Sequence, residues 1–497
     1  MKISQTKLAL TIALIITGFD SQAAEKSLER PQTMDEMWKI IQAQQQQIDN
    51  MTKKLESVAQ KPTAVADTNA VTTLERKTNV LTEEVEKLRT ELVVPEKVEY
   101  KSAYGLGPAA SKVYQVGKGL SIGGYGEANY QARVNDQGGH STDEKDKGKL
   151  NNSDNADLER LVIYTGYKFS DNILFNSEIE FEHGSTGNNG SGSTGTVSVE
   201  MAALDFFIDP LFNVRAGMVL MPMGFVNPIH EPPFFFGNNR PEVERRIIPS
   251  TWRENGLGLF GELLPGLSYT TYVVNGMNAK NFSADGIRSG RQSGGQALAE
   301  DLAYVGRLDY TPTQLPSITL GASAYVGHSG QNQLFNNQQI NVATQLYEAH
   351  LQWKYHGLEF RTLGSWGHID DAGLLTKALL AKAAQGADPQ KSIVGSQNYG
   401  WYSEVAYDIL PHIFTDTTHY LAPFFRYERM DTLSKVSTEA IVATGYRDDL
   451  SKDLEIYQIG VNYKPIPNVV IKADYRNFKQ KAGIAPDDFN LGVGFIF

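Results

Sequence analysis

The closing stretch VVIKADYRNFKQKAGIAPDDFNLGVGFIF (469–497) decides the fold. Val469, Ile471, Ala473 and Tyr475 alternate with Lys472, Asp474 and Arg476. After Pro486, Phe489, Leu491, Val493, Phe495 and Phe497 alternate with Asn490, Gly492 and Gly494. Side chains along a strand point to opposite faces with a period of two, so each strand has one apolar face and one polar or bare face. The same division recurs near 175, where Phe175, Ile179 and Phe181 alternate with Glu178, Glu180 and Glu182. A soluble sandwich also alternates when one face is buried. The spacing of the strands along the chain separates the two cases, as does the aromatic residue that ends the last strand.

From Gly119 onward the pattern predicts sixteen strands, beginning near 119, 157, 173, 197, 213, 256, 267, 300, 317, 343, 358, 399, 420, 454, 468 and 488. Brief connections such as Ser170–Asn172, Asp209-Pro210, Leu264–Gly266 and Gly357 alternate with long polar ones at 135–156, 184–196, 222–255, 276–299, 329–342, 369–398, 431–453 and 477–487. Short turns alternating with long loops are the pattern of an outer-membrane barrel, with turns in the periplasm and loops outside. The expected fold is all-β: a sixteen-stranded antiparallel transmembrane β-barrel over 119–497, preceded by an N-terminal α-helical coiled coil. Leu491 and Val493 are expected to face lipid, and inward positions such as Asp474 to tolerate changes of charge. Within loop 369–398, Asp371–Gln385 reads as a short helix.

The third long loop stands apart. MPMGFVNPIHEPPFFFGNNRPEVERRIIPSTWRE (221–254) holds Pro222, Pro228, Pro232, Pro233, Pro241 and Pro249, which exclude sheet interior and continuous helix. It also holds Phe225, Phe234, Phe235, Phe236 and Trp252, more aromatic surface than a solvated loop carries. Such a segment must lie against something, and the inside wall of the barrel is the expected place, where it would narrow a channel. The candidates for the constriction are Arg240, Arg245, Arg246, Arg253, Glu242, Glu244, His230 and Glu231. Those for the lumen wall are Glu178, Glu180, Glu182, Arg215, Lys472, Asp474 and Arg476. Some loop arginines are expected to pair with Glu242, Glu244 or Glu254 and brace the loop, and the rest to face the solute path.

The N-terminal part reads differently. Met1–Ala24 has a basic start (Lys2, Lys7), a short apolar core and small residues at its end, the pattern of an export signal. Residues 34–55 and 71–92 carry heptads: Val71, Thr78, Val85 and Leu92 form one seam position, Leu74, Leu81 and Leu88 the other. The glutamine run Gln44–Gln47 leaves too narrow an apolar stripe for packing on a barrel, so 25–95 is expected to self-associate in the periplasm, within reach of peptidoglycan, in a number the heptads alone do not fix. Residues 96–118 read as an unpatterned linker.

The chain of 497 residues has a net charge of −11, which disfavours nucleic acid, and no cysteine, which excludes disulfides and thiolate metal sites. The nine histidines have no metal-ligand spacing, and no catalytic motif is present. Gly256-Leu-Gly-Leu-Phe-Gly261 matches a dinucleotide pattern but lies within a predicted strand with no helix after it. No cofactor and no catalytic residue is expected.

The stretches GLSIGGYGEANY (119–130), LVIYTGYKFSDNILFNSEIEFEH (161–183), 213–262 and the closing KPIPNVVIKADY…FNLGVGFIF resemble the phosphate-selective porin O and P family. The resemblance spans about 119–497 and is most specific at 213–262. It implies a sixteen-stranded trimeric porin whose third loop folds into the lumen and whose basic residues guide anions. The expected function is a passive outer-membrane channel for small hydrophilic solutes, anions among them. The rivals are an envelope tether acting through the coiled coil and a barrel enzyme.

Overall fold

The computed structural model describes residues 101–134, 154–187, 195–383, 388–447, 452–481 and 486–497. The expected signal peptide (1–24) and coiled coil (25–95) lie outside the described residues.

The barrel begins with β1 (Gly119–Val134), β2 (Asn155–Lys168), β3 (Ile173–Glu182), β4 (Val197–Asp209) and β5 (Phe212–Leu220). It continues through β6 (Arg253–Leu264), β7 (Leu267–Asn275), β8 (Leu302–Tyr310) and β9 (Ile318–His328). A small hairpin, β10 (Leu334–Phe335) and β11 (Gln338–Gln339), stands apart as its own sheet. The wall resumes with β12 (Ala343–Tyr355), β13 (Leu358–Ile369), β14 (Gln397–Tyr407), β15 (Tyr420–Lys435), β16 (Asp453–Ile466), β17 (Val469–Gln480) and β18 (Asp487–Ile496). Sixteen strands close into one barrel in which each pairs with its sequence neighbours and β18 returns to β1, Tyr125 opposite Ile496. Every wall strand starts within three residues of the position read from the alternation.

Closure leaves no free edge, so every wall strand has a hydrogen-bonded neighbour on both sides. Two- to four-residue turns follow β2, β4, β6, β12 and β16, and long loops leave the opposite end. The outside is an apolar belt. Leu491 and Val493 are exposed on it, 44% and 43%, as are Leu120, Ile122, Leu257, Leu320 and Ile471. Exposed aromatic residues sit toward both rims: Tyr167, Tyr310, Trp353 and Tyr407 toward the turns, and Tyr130, Tyr304, Trp366 and Trp401 toward the loops. Leu491→Arg or Val493→Arg is expected to cost about 2–4 kcal/mol if the position lies near the bilayer midplane, read by urea unfolding in liposomes. An unchanged unfolding midpoint would refute the register.

The inside is packed. Residues 101–118, expected as linker, enter the lumen and form a 3-10 turn at Ala110–Tyr114. Its Ala110 carbonyl accepts from Asn176 of β3, and its Tyr114 hydroxyl donates to Asp205 of β4 at 2.7 Å. The expected loop helix is present as α2 (Ala372–Lys382); α1 (Glu242–Arg246) and α3 (Thr438–Thr444) are additional. Ser437 caps α3 through Ala440 N and Gly445 ends it at φ +69°, so its two ends are written in the sequence. The glycines of the dinucleotide-like match lie within β6, with no helix after them.

Candidate functional site

Residues 221–252 connect β5 to β6 and lie inside the barrel rather than outside it. A proline-rich chain cannot satisfy its own backbone groups, and buried unpaired carbonyls are costly. The wall satisfies them. Arg361 of β13 donates to Phe234 O (2.8 Å), Lys464 of β16 to Pro233 O (2.7 Å) and Lys472 of β17 to Gly237 O (2.8 Å). Arg426 of β15 donates to Phe236 O at 2.8 Å, and Arg307 of β8 to Gly224 O. In the other direction, Asp474 accepts from Asn238 N at 2.7 Å and Glu428 from Val243 N at 3.0 Å. Glycine is required where the loop touches the wall: Gly237 has φ +73°, and a Cβ there would lie 2.2 Å from Gln458 Nε2.

The loop aromatics are accounted for by the same contact. Trp252 is fully buried against Tyr325 of β9, with ring centroids 4.8 Å apart. Phe225 meets His350 of β12 at 4.5 Å, Phe236 stacks on Phe424 of β15 at 5.5 Å, and Lys472 sits 3.6 Å over Phe235. Met221, Met223, Val243, Ile247 and Ile248 join inward wall residues Tyr272, Leu346, Leu363 and Tyr402 in one apolar core. The loop therefore packs most heavily on β6–β17, while His230 reaches Glu178 of β3 and residues 101–118 fill the lumen beside β1–β4.

The loop arginines divide. Arg245 and Arg246 both bind Glu242 Oε2, at 2.6 and 2.8 Å, and Arg476 of β17 approaches its other oxygen at 3.5 Å. Burial opposes the charge on Glu242, but the three guanidinium groups outweigh it and hold its carboxyl down at about 2. Arg253 is the first residue of β6 rather than a loop residue, and it pairs with Glu200 of β4 at 2.6 Å. Arg240 differs from the others. Among the described residues it has no ion pair, and its Nε and Nη2 are buried without a hydrogen-bond partner. It lines a cavity of about 200 Å³ with Arg160, Glu182, Glu242, Arg245 and Arg288, at the long-loop end of the lumen. A second cavity of about 560 Å³ opens at the turn end, lined by Asp209, Pro210 and Glu262 together with Pro222 and Pro228 of the loop.

The remaining candidates are structural. Glu244 accepts from Val226 N (2.7 Å) and the Tyr402 hydroxyl (2.6 Å) rather than from an arginine. Glu254 accepts from Trp252 Nε1 and Asn275. Glu231 accepts from Ala109 N and Ala110 N, joining the loop to the N-terminal segment, and burial pushes its carboxyl up to about 7 against those donors. His230 Nε2 lies 2.9 Å from Glu178. Glu178 and Glu180 are buried and face inward, while Glu182 faces the cavity. Arg215 is held by Asp205 at 2.6 Å and donates to Tyr104 O, so it anchors the N-terminal segment instead of lining a free path. Asp474 accepts from Asn238, Gln458 and Asn490, which corrects the expectation that it tolerates charge changes. Arg307, Arg361, Arg426 and Lys464 were not among the predicted site residues. Their signal was a basic residue at an inward position of an alternating strand.

No protein-family model matches the chain. An uncharacterised protein of Aquifex aeolicus (strain VF5) is 39% identical over 420 residues, 83% of this chain and 87% of that protein. Among solved structures, OmpF of Salmonella typhi in complex with daunomycin is 11% identical, covers 77% of this chain and 98% of its own, and has a TM-score of 0.49. The outer membrane channel DcaP of Acinetobacter baumannii is 14% identical with a TM-score of 0.47, covering 76% of this chain and 97% of its own. The trimer form of OmpT, an outer membrane protein of Vibrio cholerae, is 10% identical with a TM-score of 0.44, covering 76% and 99%.

Proposed function

The chain belongs to one family with the Aquifex aeolicus protein, and we propose that it is an outer-membrane porin: a passive diffusion channel for small hydrophilic solutes, with anions favoured. One observation carries the reading. A closed barrel with an apolar exterior holds a proline-rich segment against its inner wall through side chains of at least five strands. Residues 222–252 form the constriction, and solutes enter by the cavity that Arg240 lines at the long-loop end. A pore works by matching width and wall charge to the solute without holding it tightly. Arg240, which lines that cavity and has no ion pair among the described residues, supplies the attraction for anions through its charge.

The resemblance of 213–262 to the phosphate-selective porins makes phosphate the first anion to try. The 25–95 segment is assigned to trimeric self-association in the periplasm, toward peptidoglycan; β1 starts and β18 ends at the turn side, which fits that placement. The test is reconstitution of the purified chain in planar bilayers under a potassium chloride gradient, with phosphate then added as a blocker. Discrete conductance steps with a reversal potential on the chloride side are expected. A silent bilayer with correctly inserted barrel would refute the channel, and a potassium-side reversal would refute the anion preference.

A further inference from the structure

Three side chains from separate segments converge behind the lumen loop: Glu178 of β3, Glu200 of β4 and His230. We propose that they form a site for a divalent transition-metal ion, which ties the loop to the β3–β4 wall. All three are buried, and one ligand atom from each lies within 4.8 Å of the others. His230 Nε2 stands 2.9 Å from Glu178 Oε1 and 3.8 Å from Glu200 Oε2. Around a tetrahedral ion with bonds of about 2.1 Å, ligand atoms sit about 3.4 Å apart, which these two distances bracket.

The ring is set for this role. His230 Nδ1 lies 3.1 Å from the Asn227 carbonyl, the acceptor for an Nδ1–H, which leaves the Nε2 lone pair aimed at the carboxylates. Independently, Glu178 Oε2 is buried and has no hydrogen-bond partner, and Glu200 faces the carboxyl of Glu180. The other oxygens are engaged: Glu200 Oε1 by Arg253 (2.6 Å) and Thr251 Oγ1 (3.0 Å), and Glu178 Oε1 by the Tyr164 hydroxyl (3.3 Å). Buried carboxylates with an unpartnered oxygen are costly, and an ion between Glu178, Glu200 and His230 neutralises them. The His350 cluster makes the contrast. There Glu348 accepts from Ser323 and contacts His350, and Asp309 binds Arg307 through both oxygens.

One imidazole nitrogen and two carboxylates, with no thiolate in the chain, suit Zn²⁺ or a neighbouring divalent ion better than Ca²⁺ or Mg²⁺, which take oxygen ligands. Thr251, which contacts Glu200, also lines the 200 Å³ cavity, so an ion has a route from the long-loop end. The site stands whether or not the barrel conducts, and its test does not use conductance.

The full chain, without a histidine tag, would be stripped with a chelator in detergent and titrated calorimetrically with zinc chloride. One Zn²⁺ per chain is expected, with an X-ray absorption spectrum showing nitrogen and oxygen ligands at about 2.0–2.2 Å and one imidazole. His230→Gln should abolish binding, and Glu178→Gln and Glu200→Gln, which keep the side-chain shape, should each weaken it about 10-fold or more. His350→Gln should leave it unchanged. Absence of stoichiometric Zn²⁺, or the same stoichiometry in His230→Gln, overturns the site. If a variant loses the heat-modifiable gel mobility of a folded barrel, the spectrum of the unaltered protein decides: a bound ion with no imidazole shell overturns it.

Discussion

Arg426→Ala is expected to lower stability by about 3–5 kcal/mol and to release the lumen loop, because it breaks a buried pair and leaves the other charge unpaired. Arg426 is fully buried. Its Nε binds Glu404 at 2.9 Å, its Nη1 binds Gln458 at 2.7 Å, and its Nη2 holds Phe236 O at 2.8 Å. Without it, Glu404 keeps, among the described residues, Arg361 at 3.5 Å, and the loop loses its anchor at Phe236. Urea unfolding would read the cost, and limited proteolysis would read new cleavage near 234–240. In bilayers the same variant should conduct more for every ion, since a looser loop widens the path without changing its sign of charge. Arg426→Lys keeps the charge but loses the fork, so it should fall between the two. Stability within about 0.5 kcal/mol of the parent, the ordinary range for an inconsequential substitution, would mean the wall does not hold the loop.

That wall explains what the sequence could and could not convey. Strand positions were legible because alternation is local: Phe489 and Asn490 already take opposite sides in the chain before any partner is known. The place of 222–252 was legible in outline, since six prolines and five aromatics cannot be solvated or laddered. Its clamps were not. Arg307, Arg361, Arg426 and Lys464 are each a lone basic residue in a different strand, and only closure of the barrel aims them at one loop. The meeting of Glu178, Glu200 and His230 has the same origin, as no spacing along the chain relates a loop histidine to two neighbouring strands. That some loop arginines pair with a loop glutamate was expected without saying which, and Arg245 and Arg246 are the two that meet Glu242. Arg253 instead reached across to Glu200, a bulged position of β4 that the period-two reading passes over.

Arg240→Ala should reduce anion over cation permeability with little change in size cutoff, and it should be alone among the four predicted arginines in doing so. The reason is pairing. Arg245 and Arg246 share Glu242 with Arg476, so losing either leaves the carboxylate neutralised and the helix α1 in place. Arg253 is spent on Glu200 and on Val199 O, so its loss should disturb the β4–β6 junction and affect all ions alike. Arg240 has no ion pair or hydrogen bond from its guanidinium among the described residues, and it lines the cavity at the long-loop end. A unit charge about 8 Å from an ion's path, at an effective dielectric near 40, acts with about 1 kcal/mol, or about fivefold in relative permeability. The measurement is the reversal potential of each Arg→Ala variant in a potassium chloride gradient, together with the largest neutral sugar that each pore admits. Arg240→Lys should retain most of the preference for chloride, where charge suffices, and lose any preference for a planar oxyanion, where the fork is needed. If Arg240→Ala left the reversal potential where it was, the cavity that Arg240 lines would not be on the path, and the solute would have to pass elsewhere.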